Sequence, residues 1–135
     1  MDYQNFVATS NYETSAVGYI WKSGYEIINN ANQVIHWAPV LKESYPHDVE
    51  MIDNVTASAY FVRALIHFDL CRVYGQNYTY TDNAGHLGVA IRDKIPSLSE
   101  TIARSTVKQC YQQCLDDINM ALQTYSNCAY DAFRP

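Results

Sequence analysis

The sequence predicts an all-α domain of three main helices joined by one long loop, and three observations carry that prediction. Apolar residues recur at steps of three and four along three separate stretches, the spacing of an amphipathic helix. The stretch from Asn54 to Gly75, N-V-T-A-S-A-Y-F-V-R-A-L-I-H-F-D-L-C-R-V-Y-G, has no Pro, and no Gly before its last residue, and is apolar round nearly its whole circumference. A helix of that kind must be packed on more than one side. The residues between the second and third stretches show neither a helical nor a strand period of useful length. At 135 residues the chain reads as one domain, 1–135, able to bury about two thirds of the surface that its unfolded form exposes.

Residues 1–15, M-D-Y-Q-N-F-V-A-T-S-N-Y-E-T-S, are polar and without period. They read as a loosely held arm anchored by Phe6 and Tyr12, with Thr14 or Ser15 capping the first helix. That helix is expected over about 16–38, with Val17, Ile20, Trp21, Ile28, Ala31 and Ile35 on one face. Pro39 is its expected stop, because a proline pushes the preceding residue out of the helical region. Asn29, Asn30 and Asn32 are poor helix formers. Asn32 lies beside the apolar stripe and is expected to direct its amide to a neighbouring loop, whereas Asn29 or Asn30 suits solvent.

Residues 40–47 are a connection, and Asp48 is the expected cap of a second helix over 48–74. Val49, Ile52 and Val55 begin its period, and Gly75 ends it. The loop 75–105 is too long for a plain turn. It carries Asn77, Tyr78, Tyr80, Asp82, Asn83 and His86, then the apolar pieces 87–91 and Ile95-Pro96, and long loops on rigid helices are where function tends to sit. Thr106 and Gln109 form a capping box for a third helix over 106–126. Val107, Tyr111, Cys114, Ile118, Ala121, Leu122 and Tyr125 make its apolar stripe, opposite Lys108, Gln112, Asp116, Asn119 and Gln123. The residues after Ser126, N-C-A-Y-D-A-F-R-P, neither repeat nor cap, and read as a tail or as the start of a further element.

Composition excludes several classes of function. The chain is 48% hydrophobic and only 17% charged, against about 25% charged in average globular domains, so it is not a disordered tail. Its 12 Tyr suit a binding surface, since the ring buries while the hydroxyl seeks a partner. A net charge of -5 gives no basis for holding nucleic acid. No apolar run approaches the roughly 20 residues of a membrane span, and the first residues lack the basic start and apolar stretch of a secretion signal. Cys71, Cys110, Cys114 and Cys128 read as buried free thiols. Cys110 and Cys114, one turn apart, suit neither a bridge nor the spacing of a zinc site.

Catalytic chemistry finds no support. Asp116 and Asp117 are adjacent, so on a helix they point about 100° apart and read as a solvated face rather than an acid and base pair. His36, His47, His67 and His86 lie far apart with no nucleophile arrangement, and His67 reads as a core histidine satisfied by a neighbour. The sequons Asn54-Val55-Thr56 and Asn77-Tyr78-Thr79 matter only where a host glycosylates them. The five Gly never cluster as a phosphate loop. The expectation is a protein that is not an enzyme, with no cofactor and no metal. Arg63, Asp69 and Arg72 sit in the apolar central helix, where a buried charge needs a partner. Asp69 and Arg72 can pair at i and i+3, and with Arg63 and Asn32 they are expected to lock helix to loop; direct ligand contact is the alternative.

Four ordered blocks carry a resemblance. They are W-x3-Y-x2-I-x2-A-N-x-V-I from Trp21 to Ile35, A-Y-F-V-R-A-L-I-H-F-D-L-C-R-V-Y-G from Ala59 to Gly75, G-V-A-I from Gly88 to Ile91, and R-S-T-V-K-Q-C-Y-x6-I-x2-A-L from Arg104 to Leu122. Together, over about Val17 to Tyr125, the chain resembles the SusD/RagB family. Departures are Ser58 for the usual Glu, His67 for the usual aromatic and Ala90 for the usual Pro. The resemblance implies a glycan- or nutrient-binding lipoprotein of the outer membrane of Bacteroidetes, at the cell surface, working with a SusC-like TonB-dependent transporter. Family members are several times longer and begin with a signal peptide and a lipidated Cys. Neither a signal peptide nor a lipobox is read in this chain, and since the match covers only the N-terminal helical part of such longer proteins, the chain reads as an excised domain or a truncated product.

In the family that part is built of tetratricopeptide-like helical hairpins facing the transporter. The implied role is a fragment of a surface glycan-binding protein for polysaccharide uptake. If it touches sugar, the expected contacts are Tyr78 or Tyr80 stacking on a pyranose, with Asn77, Asp82 or Asn83 bonding its hydroxyls. The rival reading is a docking module with no ligand of its own. A terminal hairpin without a cap exposes apolar surface, so self-association through the uncovered side of the central helix is also expected.

Overall fold

The computed structural model describes residues 16–97 and 101–126. The expected anchors Phe6 and Tyr12, the caps Thr14 and Ser15, and Cys128 with the rest of 127–135 lie outside that set. Three α-helices make the frame: α1, Ala16–Ser44; α2, Val49–Tyr74; and α3, Val107–Ser126. Between α2 and α3 run two single 3-10 turns, Tyr78–Tyr80 and Asp82–Ala84. The described residues contain no strand, only an isolated antiparallel bridge between Leu87 and Thr106. The all-α expectation holds.

The central helix α2 packs against α1 on one flank and α3 on the other, as its all-round apolar sequence requires. The core gathers Ile28 from α1, Leu70 and Cys71 from α2, Val107 and Cys110 from α3, and Ala84 and Val89 from the loop. The loop is thus part of the core. Trp21 lies 4.8 Å from Tyr25 and 4.8 Å, edge-on, from Tyr74, so three aromatic rings seal one end of the α1 and α2 contact. Cys71, Cys110 and Cys114 are buried free thiols, as expected.

Three boundaries differ in kind. Gly75 ends α2, and its N–H bonds Cys71 O at 2.9 Å; a Cβ there would meet that same oxygen at 2.7 Å. Thr106 and Gln109 form the capping box, with Gln109 N donating to Thr106 Oγ1 at 3.2 Å and Thr106 N to Gln109 Oε1 at 2.9 Å. The expected stop at Pro39 is wrong, because α1 runs through it to Ser44. The extra turn is held from outside: Ala38 is buried and Lys42 pairs with Asp53 of α2, and such contacts outweigh one missing backbone bond. Asp48 precedes α2, but its side chain makes no capping bond; its backbone carbonyl accepts from Ile52 N at 2.9 Å.

The buried face of α3 also differs from the expected stripe. Val107, Cys110, Cys114, Asp117 and Ala121 point inward, whereas Leu122 is 63% exposed. An aspartate on the inner face requires a cation opposite. The loop doubles back on the start of α3, with Gly88 N bonding Ser105 O at 2.7 Å, Ser105 N bonding Val89 O at 2.9 Å and Val107 N bonding His86 O at 2.9 Å.

Candidate functional site

The loop is fixed before it can present anything, and Arg63 fixes it. Arg63 is 4% exposed. Its Nε donates to Asp117 Oδ2 at 2.8 Å and its Nη2 to Asp117 Oδ1 at 2.6 Å, a two-point pair between α2 and α3. Its Nη1 donates to Asn32 Oδ1 at 2.7 Å and to Asp93 O at 2.6 Å. Asn32 in turn donates to Arg92 O at 3.2 Å and Lys94 O at 3.0 Å. Gln113 Nε2 adds a bond to Asp117 Oδ1 at 3.1 Å. One guanidinium thus joins all three helices to residues 92–94 of the loop.

His67 extends this tie. Arg92 N donates to its Nε2 at 3.1 Å, so the ring proton sits on Nδ1 and is given to Arg63 O at 3.1 Å. Burial, opposed by the Asp117 charge, lowers the His67 pKa to about 4, and the ring is neutral at physiological pH. Tyr25 adds a bond from its hydroxyl to Ala90 O at 2.8 Å, and burial pushes its pKa up to about 12.

Two sequence expectations are corrected here. Asp117 is not on a solvated face: it is 2% exposed and carries the buried end of the Arg63 pair. Asp69 and Arg72 do pair, at 3.6 Å, but with side chains 54% and 61% exposed, so they belong to no buried network. Arg72 instead lies over the Phe68 ring at 5.3 Å. The lock consists of Arg63, Asn32, Asp117 and His67.

In the first part of the loop the residues expected to touch sugar come together on one short rim, on the turns Tyr78–Tyr80 and Asp82–Ala84. Tyr78 is half covered: its ring lies 4.9 Å from Tyr111, which meets Phe68 edge-on at 5.4 Å. Tyr80 is 64% exposed and stands edge-on to His86 at 5.3 Å. His86 Nε2 bonds Gln76 O at 3.3 Å, which a carbonyl can only accept, so Nδ1 takes the Thr81 hydroxyl proton at 2.8 Å. Asn77, Asp82 and Asn83 are exposed. The backbone turns sharply, with Asn83 at φ 60° and Ala84 at φ 49°. Asn tolerates that left-handed region, whereas Ala84 is held in it by its own burial. An exposed ring beside amides and a carboxylate can stack on a pyranose face and bond its hydroxyls.

Beside the rim lies a cleft of about 520 Å³ at the end of α2, lined by Tyr74, Gly75, Gln76, His86, Leu87 and Arg104 among others. The sequence marked Arg104 as the first residue of the fourth block and assigned it no role; the doubling back of the loop brings it to the end of α2. A second, wholly apolar groove between α2 and α3 is lined by Phe61, Leu65, Phe68, Leu115 and Ile118. Among the described residues no group of three or more His, Cys, Asp and Glu could hold a metal, and no helix is long and apolar enough to cross a membrane.

Comparison with known proteins gives the family and the fold. The model of a SusD-like family, described as starch-binding and associating with the outer membrane, matches residues 1–135. A curated relative, SusD-like protein P2 of Formosa agariphila, is 26% identical over 113 residues, which cover 84% of this chain and 20% of the relative. A crystal structure of a SusD superfamily protein from Bacteroides thetaiotaomicron superposes with a TM-score of 0.69 at 25% identity, covering 87% of this chain and 28% of that one. A Bacteroides vulgatus protein described as sugar-binding superposes with a TM-score of 0.68 at 27% identity, covering 78% of this chain and 23% of that one. The chain therefore spans about a fifth of the curated relative and about a quarter of the solved chains.

Proposed function

The chain belongs to the SusD-like family, and from that membership we propose that it is the helical part of a surface glycan-binding protein serving polysaccharide uptake with a SusC-like TonB-dependent transporter. A glycan-binding role at the outer membrane is the property of the family. The observation that supports it for this chain is the rim at 77–83, where Tyr80 stands 64% exposed on two short turns held by the bonds of Tyr80 N to Asn77 O and Ala84 N to Thr81 O and of the Thr81 hydroxyl to His86. A preorganised rim loses little conformational entropy when a flexible sugar binds.

Titration calorimetry of the chain with neutral and charged oligosaccharides tests this reading. Tyr80→Ala is the sharper variant, because Tyr78 also packs on Tyr111 and its loss disturbs the fold as well as the rim. Loss of one stacked ring is expected to weaken binding about fivefold, roughly 1 kcal/mol; heats that do not change with Tyr80→Ala or Tyr78→Ala count against the rim. A second reading rests on the apolar groove of Phe61, Leu65, Leu115 and Ile118: the helices act as a docking module alone. Retention of a TonB-dependent transporter in a pull-down, with no glycan binding by calorimetry, favours it.

A further inference from the structure

We propose that the cleft at the end of α2 takes a sugar bearing a carboxylate, a uronic acid residue, with Arg104 as the group that reads its charge; this rests on the glycan-binding reading above and names the class of glycan. The cleft, of about 520 Å³, falls within the roughly 300–1,000 Å³ of small-molecule sites. Arg104 is the permanently charged member of its lining. Its guanidinium is held along one edge: Nε donates to Gly88 O at 2.6 Å, and Nη2 to Tyr74 O at 3.2 Å and Leu87 O at 3.4 Å. These partners are neutral carbonyls, so they fix the side chain without cancelling its charge. Among the described residues no carboxylate is paired with it, and no bond engages Nη1.

An arginine held in this way has already lost its rotamer freedom, and a planar oxyanion meets it with little further ordering. The Arg63 guanidinium shows the contrast, since its charge is consumed by Asp117. Arg104 keeps its own. The exposed Gln76 lines the same cleft, and a side-chain amide there can donate to the second carboxylate oxygen or to a hydroxyl. His86 forms part of the wall, and Tyr80 stands edge-on to it at 5.3 Å, so an exposed aromatic ring flanks the wall of the cleft that holds the charged group. Ring and cation together match a pyranose that carries a carboxylate. A charge-assisted bond is about twice as strong as a neutral one, so the acidic sugar is preferred over a neutral sugar of the same size.

The test is calorimetry of the 135-residue chain with hexagalacturonate and with maltohexaose, at low and high ionic strength. The charged oligosaccharide is expected to bind about tenfold tighter, with the margin shrinking in salt. Arg104→Gln is expected to remove the margin between the two sugars, with a thermal melt confirming the fold. If that variant fails to fold, Gln76→Ala decides, because its side chain makes no hydrogen bond among the described residues: weaker binding of the uronate supports the proposal and unchanged binding overturns it. Equal affinity of the parent chain for both sugars, or a margin that survives Arg104→Gln, also overturns it. Equal binding of dextran sulfate overturns the carboxylate assignment. In each of these cases a neutral sugar that still depends on Tyr80 leaves the broader glycan reading standing, whereas binding of neither sugar sinks both.

Discussion

At the scale of single residues, stability rests on one charge. Arg63 and Asp117 are both almost wholly buried and satisfy each other at two points. Removing one partner leaves the other charge stranded, which costs about 3–5 kcal/mol. Asp117→Asn and Arg63→Met are each expected to lower the unfolding free energy from urea denaturation by that measure, while Arg63→Met with Asp117→Leu costs less than the sum of the single losses. His67 gives a pH signature. Its folded pKa of about 4 lies below the ordinary histidine value of 6.5, so below pH 6.5 the unfolded chain binds a proton that the native ring refuses. Stability is therefore full above 6.5, falls as pH drops towards 4, and loses about 3 kcal/mol over that window. Denaturant midpoints taken across it should fall for the parent chain and fall much less for His67→Gln.

At the scale of elements, Pro39 shows how packing overrides a local rule. It is exposed on α1 and removes one backbone bond, yet the helix continues because Ala38 is buried and Lys42 reaches Asp53. Pro39→Ala restores the bond and relieves the ring clash, while leaving the unfolded chain more flexible. A net gain of about 1–2 kcal/mol in chemical denaturation is expected; a loss would mean that the ring itself packs. The loop obeys different physics. It has no period of its own, and its order comes from Arg63, Asn32, Tyr25 and His67, which hold its backbone carbonyls and one N–H.

At the scale of the whole molecule, α2 is covered by α1 and α3 and still leaves apolar side chains in the open. Phe61 is 52%, Leu65 45% and Leu115 55% exposed, and they line one groove. Contiguous apolar surface of this kind draws partners. We expect the chain in isolation to self-associate through this groove, with sedimentation velocity showing a concentration-dependent shift that Leu65→Glu abolishes. A monomer at high concentration that binds no hydrophobic dye would refute this.

The sequence by itself determined the three helices, the end of α2 at Gly75, the capping box at Thr106, the buried thiols, the inward histidine at 67 and the use of Asn32 on a loop. These are short-range matters of backbone chemistry and period, and four blocks of residues sufficed to suggest the family. Only the tertiary structure decided which charges go inside, where α1 stops and what stands beside Arg104. Asp117 looked like its neighbour Asp116, and Asp69 with Arg72 looked like a buried pair, because a local pattern gives a residue's helical face but not what covers that face. Burial reverses the energetics of a charge, and burial is settled by segments distant in sequence. So it was for the helix that organises the chain: its apolar run was legible, but its one buried cation became a clamp only when α1, α3 and the loop closed on it.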